Sequence, residues 1–358
     1  MGLKRNTYLE INVNNIKNNI KEIINYYNEY EYYIGVVKAD NYGHGGIESV
    51  KAVIAGGCNY VAVATLEEAL FIRGKINDIP ILCLGVIPTE YIGVCREKNI
   101  TITIPSLEYM EELQDVDLVN LKAHLKINTG MNRLGVSDKK ELELIFDLLE
   151  EKNLELEGIY THLYEASNRE ISERQLDYFE KMLEGIDKRK IKIVHVAASD
   201  GIINHIKSKE VNGCRIGIMM YGFTNNSDLN LQDTFSVYSE VVQMNILRKG
   251  ETLGYNAKYV AKEEIEKVAV VPIGYADGII RKNTGRFVYI NDKEYKIVGN
   301  ICMDMLFVKV DETIKCHDRV IILKDVQHIK EVARYLETIP YEVMCSIGKR
   351  VERKYILN

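Results

Sequence analysis

Between about residue 30 and residue 220, short apolar runs alternate with amphipathic segments, and this alternation constrains the fold more than any other feature of the chain. The runs are YYIGVV ending near Lys38, YVAVA near Ala64, PILCLG near Leu84, ITITIP near Pro105, LKAHLKI near Lys126, LEGIYTH near His162, IKIVHVA near Ser199 and VNGCRIG near Arg215. Near-continuous apolarity is what a parallel strand needs when helices cover both faces of its sheet. About eight such runs in roughly 200 residues match the size of a (β/α)8 barrel of the TIM type. The segments between them carry helical stripes. IKNNIKEIINYY sets Ile16, Ile20, Ile23 and Tyr27 on one face, and KKELELIFDLLEEK brings Leu142, Ile145, Leu148 and Leu149 together. Both stripes read as barrel-facing core.

Beyond about residue 230 the texture changes to Val, Ile, Tyr and Thr alternation broken by Gly, Asn and Asp: FSVYSEVVQMNIL, RFVYINDKEYKIVGN, MLFVKV and RVIIL. That is the pattern of antiparallel strands, and Asn291-Asp292 between FVYI and KEYKIV reads as a hairpin turn. The expected fold class is therefore α/β, with a (β/α)8 barrel over residues 1–228 and a C-terminal, mainly antiparallel β domain over residues 229–358.

Composition narrows the function classes. A chain of 358 residues, 46% hydrophobic and 27% charged, can bury a core without disulfide or metal staples. Its net charge of -6, with signs interspersed, offers no basic footprint for nucleic acid or for an anionic membrane. No apolar stretch approaches the roughly 20 residues of a membrane span. The cysteines (Cys58, Cys83, Cys95, Cys214, Cys302, Cys316, Cys345) form neither a C-x-x-C pair nor a zinc-type spacing. They read as reduced thiols in a cytoplasm, with no metal expected. The N-terminal MGLKRNTYLEINVNN lacks an apolar h-region and has Asn6 where myristoylation calls for Ser or Thr, so neither export nor anchoring is expected.

Barrel enzymes draw catalytic groups from the C-terminal ends of strands, which here hold Lys38, Lys126, His162, Ser199 and Arg215. Lys38 closes IGVV and opens the glycine-flexed ADNYGHG, which carries Tyr42 and His44. A lysine desolvated there can form a Schiff base with a carbonyl; it can instead snorkel to solvent. HVAASDG and CRIGIMMYG, at the last two strands, supply the Ser199 hydroxyl and a close backbone approach at Gly217, where barrels often bind phosphate. A Schiff-base lysine beside a phosphate cup points to pyridoxal 5'-phosphate.

VVKADNYGHG, KINTGMNRLGV, GIYTH, RIGIMMYG, LGYN, IGYADG, NICMD and RVER, in that order along nearly the whole chain, resemble the alanine racemases. The resemblance implies a pyridoxal-phosphate barrel with a C-terminal β domain, a homodimer with two shared sites, and interconversion of L- and D-alanine for cell-wall precursor supply. It makes Lys38 the Schiff-base lysine and one acid/base group at Cα, and Tyr255 of the partner subunit the other. Two bases on opposite faces are what racemisation requires, one removing the Cα proton and one returning it. A phenol, with an ordinary pKa of about 10, needs neighbouring cations for this work, the part implied for His162 and Arg215. Arg215 is also implied to face the pyridine nitrogen. A guanidinium cannot give up its proton there, which favours simple reprotonation over transamination.

Tyr42, Ser199, Gly217 and Ile218 match phosphate-binding positions. Lys126 matches a lysine often carbamylated in the family, with Arg133 beside it contacting the cofactor ring oxygen, and Arg133, Tyr275 and Met303 match the substrate side. His44 and His195 are read as supporting or structural residues, and Cys302 as a buried, inert thiol.

The chain departs from the family pattern at several positions. Ser167 and Asn300 stand where Asp and Arg are common at the expected channel mouth. Lys349 replaces a frequent Tyr near the phosphate or substrate, and Ala198 replaces a commoner Asn. None of these touches Lys38, Tyr255 or Arg215, but Ser167, Asn300 and Lys349 become specificity candidates. A serine or broad-specificity racemase therefore stands as the alternative. A fold-type III decarboxylase would pair the pyridine nitrogen with a carboxylate, against Arg215. A non-catalytic pyridoxal-phosphate-binding protein would lack the β domain and Tyr255.

Overall fold

The computed structural model describes residues 5–113, 116–187, 191–206 and 208–357, so the first four residues of the N-terminal segment read above lie outside the described residues. After strand β1 (Tyr8–Asn12) and the helix Val13–Tyr26, each of the apolar runs becomes a strand. These are β2 (Tyr32–Val36), β3 (Tyr60–Val63), β4 (Ile81–Cys83), β5 (Ile100–Ile104), β6 (Lys122–Lys126), β7 (Glu155–Tyr160), β8 (Ile193–His195) and β9 (Gly213–Ile216). They close into one barrel in sequence order, β9 pairing in parallel with β2. β3 and β5 are buried along their whole lengths, as strands enclosed on both sides must be. Ile16, Ile20, Ile23 and Tyr27 are fully buried, and of the second stripe Leu142, Ile145 and Leu149 are buried while Leu148 is half-buried. Helix Lys139–Glu151 starts where the Asp138 carboxylate accepts from the amides of Lys140 and Glu141.

The barrel unit comprises Ile16–Asn41 and Ile47–Gln232; the described residues up to Asn15, the short Tyr42–Gly46 segment and the chain from Asp233 onward form the second compact unit. β1 belongs to the latter. It pairs antiparallel with β10 (Phe235–Glu240) and parallel with a strand at Glu352–Ile356. The expected division at 228/229 left it with the barrel, because an alternating strand such as YLEIN carries no mark of its partner.

The remaining strands of the second unit are β11 (Gln243–Arg248), β12 (Thr252–Leu253), β13 (Tyr259–Val260), β14 (Ile265–Val271), β15 (Phe287–Ile290), β16 (Lys293–Val298), β17 (Leu306–Val310), β18 (Arg319–Leu323) and β19 (Glu352–Ile356). Nine of its strands form one sheet in the order β11-β14-β17-β16-β15-β18-β10-β1-β19. Asn291 (φ 50) and Asp292 (φ 64) join β15 to β16, both left-handed as a two-residue I′ turn demands. Two helices, Val326–Leu336 and Pro340–Cys345, also belong to this unit, which the strand-like texture did not announce. The first is capped by the Asp325 carboxylate on the His328 amide, and the second begins with Pro340 where no amide is needed.

Candidate active site

Lys38 emerges half-buried from the C-terminal end of β2 into a left-handed turn. Ala39, Asp40, Asn41 and Tyr42 all have φ between 52 and 55, a conformation that costs L-residues roughly 1–2 kcal/mol each. The Glu68 carboxylate offsets part of this by accepting from the Ala39 amide at 2.6 Å and from the Ala64 amide at 2.8 Å, which ties the turn to the end of β3. A strained backbone held in this way fixes where the Lys38 stem leaves the barrel.

Opposite polarity to an ordinary barrel core continues inside. β6 presents Lys122, His124 and Lys126 at every second residue, hence on one face. Arg215, 3% exposed, is the hub. Its Nη1 donates to His195 Nδ1 at 2.7 Å, and its Nη2 donates to His162 Nδ1 at 3.0 Å and to the carbonyls of Thr161 and Val196. A guanidinium only donates, so both Nδ1 atoms accept and both imidazoles carry their proton on Nε2. His195 Nε2 then donates to His124 Nδ1 at 2.9 Å, which puts the His124 proton on Nε2, 3.6 Å from Glu157 Oε2. That last separation is long for a hydrogen bond and acts through charge. Gly158 makes the arrangement possible, because a Cβ there would stand 2.6 Å from the His124 ring.

Glu157 is buried yet ionised. Burial pushes its carboxyl up, but His124, Lys122 at 2.9 Å and the Tyr60 hydroxyl at 2.8 Å outweigh that and hold it at about 2. The histidines stay neutral: burial, with Arg215 next in importance, pushes His162 down to about 3 and His195 well below its usual range. Tyr160 stacks on His195 with centroids 4.6 Å apart, and Lys126 Nζ and the Arg215 guanidinium lie over its ring.

Lys126, 6% exposed, donates to the Ile127 carbonyl at 3.0 Å. Burial, Arg215 and Arg133 bring its amine down to about 7, so a large neutral fraction exists at physiological pH. Arg133 itself is exposed on the loop after β6. Ser199 opens the short helix Ser199–Ile203 after β8, and its Oγ accepts from the Gly217 amide at 3.2 Å. Ile218, next to Gly217, begins a 3-10 turn after β9. Thus Lys38, Lys126, Arg133 and Arg215 all act electrostatically on His162, and the expected barrel residues converge on one end of it. Ser167 is exposed in the turn before helix Arg169–Met182, and Ala198 caps the Ser199 helix without a side-chain bond.

The other expected residues lie in the second unit. Tyr255 is 70% exposed on a turn in which the next two residues, Asn256 and Ala257, take positive φ. Leu253, just before it, is buried against Val268, Val298 and Phe307, and the Asn300 side-chain amide donates to the Tyr255 carbonyl at 2.8 Å. Asn300, expected at a channel mouth, is therefore also a clamp on the Tyr255 turn. The amides of Tyr275 and Ala276 donate to the carbonyls of Cys302 and Met303 at 3.1 and 3.0 Å, which places Tyr275 beside Met303. Both are exposed. Asp277 fixes that turn from below, accepting from the Gly274 amide at 3.0 Å and from Arg5.

Cys302, read as buried, is half-buried; burial raises its thiol, so the inert character follows from its environment. His44 is a structural residue, with Nε2 2.9 Å from Thr234 Oγ1 and its ring against Phe235. Tyr42 is buried with its ring 5.7 Å from that of Tyr341, and Lys349 is exposed. Glu68, His124 and Glu157 were not singled out from the sequence. For His124 the signal was a polar residue at every second position of β6, where a barrel strand is ordinarily apolar.

A model of the alanine racemase N-terminal domain matches residues 11–225, and one of the alanine racemase C-terminal domain matches residues 234–355. The chain belongs to the alanine racemase family. Alanine racemase 1 of Bacillus subtilis is 34% identical to it over 368 residues, spanning 99% of this chain and 94% of that protein. The alanine racemase from Bacillus anthracis with bound L-Ala-P superposes with a TM-score of 0.92 at 31% identity, covering 100% of this chain and 97% of that one. The alanine racemase from Bartonella henselae with covalently bound pyridoxal phosphate superposes with a TM-score of 0.86 at 27% identity, over 98% and 99% of the two chains.

Proposed function

We propose that this chain is a pyridoxal-5'-phosphate-dependent alanine racemase, working as a homodimer in the cytoplasm. The observation that carries the reading is the cationic end of the barrel: Lys38, Lys126, Arg133 and Arg215 surround a histidine held neutral, and the Arg215 bonds named above all go to uncharged acceptors. Such a cluster fits a phosphorylated cofactor and a carboxylate substrate. Membership of the family and the likeness to a relative with covalently bound pyridoxal phosphate support the same choice.

In this reading Lys38 would hold the cofactor covalently, and the Ser199 hydroxyl, the Gly217 and Ile218 amides and Tyr42 would receive its phosphate. When bound, the cofactor acidifies the Cα–H of the amino acid joined to it. Lys38 Nζ then moves a proton at one face of Cα, and Tyr255 of the partner subunit moves one at the other. Arg215 would face the pyridine nitrogen and leave it unprotonated. It also keeps the His162 proton on Nε2, so that this imidazole orients and polarises the phenol without storing a proton at neutral pH. Arg133, with Tyr275 of the partner subunit and Met303 of the partner subunit, would orient the substrate carboxylate.

The neutral fraction of Lys126 can add carbon dioxide, the amine forming a carbamate with release of one proton, and Arg133 and Arg215 would balance the new charge. The exposure of Tyr255, Tyr275 and Met303 together supports a face completed by a second copy of the chain. The free cysteines, four of them buried, suit a reducing compartment.

Lys38→Ala and Tyr255→Phe should each lose at least about a hundred-fold in racemisation, the latter with cofactor still bound. Mixing and re-associating the two inactive variants should restore about a quarter of wild-type activity. Half of random dimers are hybrids, and each hybrid keeps one intact site only if Tyr255 serves the opposite subunit. Full turnover by Tyr255→Phe, or no recovery on mixing, contradicts the shared two-base site.

A further inference from the structure

We propose that Asp277, held between Arg5 and Arg350, is a positioning residue for the amino-acid substrate: it sets where Tyr275 and Met303 stand and thereby the affinity for alanine, a role that rests on the reading above in which these two residues serve the substrate carboxylate of the opposite subunit's site.

Asp277 is fully buried, and a carboxylate away from water must find its donors in the protein. Its Oδ2 accepts from the Gly274 amide at 3.0 Å and from Arg5 Nη1 at 2.9 Å; its Oδ1 accepts from Arg5 Nη2 and lies 3.4 Å from Arg350 Nε. The Arg5 fork is bidentate, a geometry that fixes orientation as well as distance. Arg5 Nη1 and the Thr7 hydroxyl also donate to the Pro272 carbonyl, each at 3.0 Å, so the segment before β1 braces the chain that leads into the Tyr275 turn. Arg350 Nη2 donates to Asp304 Oδ1 at 2.7 Å. One guanidinium therefore spans the carboxylate that closes the Tyr275 turn and the carboxylate next to Met303.

Tyr275 and Met303 are themselves exposed, so the backbone beneath them decides where they point. That backbone has no slack. A Cβ on Gly274 would stand 2.4 Å from the Cys302 carbonyl oxygen and 2.5 Å from that of Met303, and the Asp277 carbonyl accepts from the Gly348 amide at 2.9 Å. An asparagine at 277 keeps the shape and an acceptor for the Gly274 amide, but it turns an NH2 group toward a guanidinium and removes the counter-charge that Arg5 and Arg350 share. Misplacing a substrate-orienting group by about 1 Å can cost on the order of a hundred-fold, so a partial shift of this turn is enough to read. The bonds of Asp277 named here stay within the second unit, whereas Lys38 and Arg215 belong to the barrel unit. The effect falls on substrate binding and spares the chemical step.

The test is steady-state racemisation by Asp277→Asn holoenzyme, together with calorimetric titration of propanoate, which is alanine without its amino group. KM for alanine should rise about ten-fold with kcat within about two-fold of wild type, propanoate should weaken by a similar factor, and cofactor content should be unchanged. Arg350→Gln, at an exposed position, should give a smaller rise, and Arg350→Lys should restore part of it; if Asp277→Asn fails to fold, this pair carries the test. In hybrids of one Lys38→Ala and one Asp277→Asn subunit, purified through two affinity tags, the single working site takes Tyr275 and Met303 from the chain with an intact Asp277, so KM should return to the wild-type value. Unchanged KM in folded Asp277→Asn or in Arg350→Gln, a loss confined to kcat or to cofactor content, or a raised KM in the hybrid would overturn the proposal while wild-type racemisation stands. A wild-type holoenzyme that does not racemise alanine would overturn it together with the function proposed above.

Discussion

Glu157 is two imidazoles away from Arg215, yet its charge bears on the geometry of the site. Because Arg215 only donates, the tautomers of His162, His195 and His124 are fixed in turn, and the chain ends on a buried carboxylate held at about 2. Removing that charge leaves the His124 Nε2 proton facing a neutral group. Glu157→Gln should therefore lower kcat about ten-fold, roughly 1.4 kcal/mol of activation free energy, with little change in KM for alanine, and Glu157→Asp should recover part of the loss. A purely structural role would lower the melting temperature and leave kcat intact.

At the scale of elements, the left-handed turn after β2 is the most strained piece of backbone near the site, and Glu68 is its brace. Glu68→Ala removes acceptors from the Ala39 and Ala64 amides, so global stability should fall by about 1–2 kcal/mol and cofactor release should accelerate, read by dialysis against a trapping amine. Unchanged release would separate the turn from the placement of Lys38. The barrel strands were legible because parallel strands buried on both faces leave unbroken apolar runs, and the I′ hairpin because Asn291-Asp292 tolerates two positive φ angles. β1 was assigned to the barrel because a half-buried strand looks alike in either sheet. The helix Val326–Leu336 was missed within a strand-rich region, although Asp325 is an ordinary cap. At the site, strand-end position exposed Lys38, Lys126, His162, Ser199 and Arg215, and the resemblance supplied Tyr255, Tyr275 and Met303. Glu68 completes the Thr65-x-x-Glu68 capping box, but its bond to the Ala39 amide is a long-range contact that no local pattern encodes.

For the whole molecule, four histidines with depressed pKa values, three of them buried and His162 half-buried, set the acid limit. His124, His162, His195 and His328 all bind protons more weakly when folded than when unfolded. Below about pH 6.5 the unfolded chain takes up protons that the folded one refuses, so stability falls as pH drops, by about 1.4 kcal/mol per pH unit for each histidine involved. Glu157 adds a further loss below about pH 4.5, as the unfolded carboxyl protonates before the folded one at about 2. Urea unfolding between pH 7 and pH 4 should show this steep decline, and a flat profile would mean the histidines are not held neutral. The central claim concerns the reaction, and a chiral product assay tests it most directly: holoenzyme incubated separately with L-alanine, L-serine and a panel of basic and acidic L-amino acids. D-alanine as the dominant product, approaching equal amounts of both enantiomers, is the predicted result; no D-enantiomer from any of them with pyridoxal phosphate demonstrably bound would contradict it.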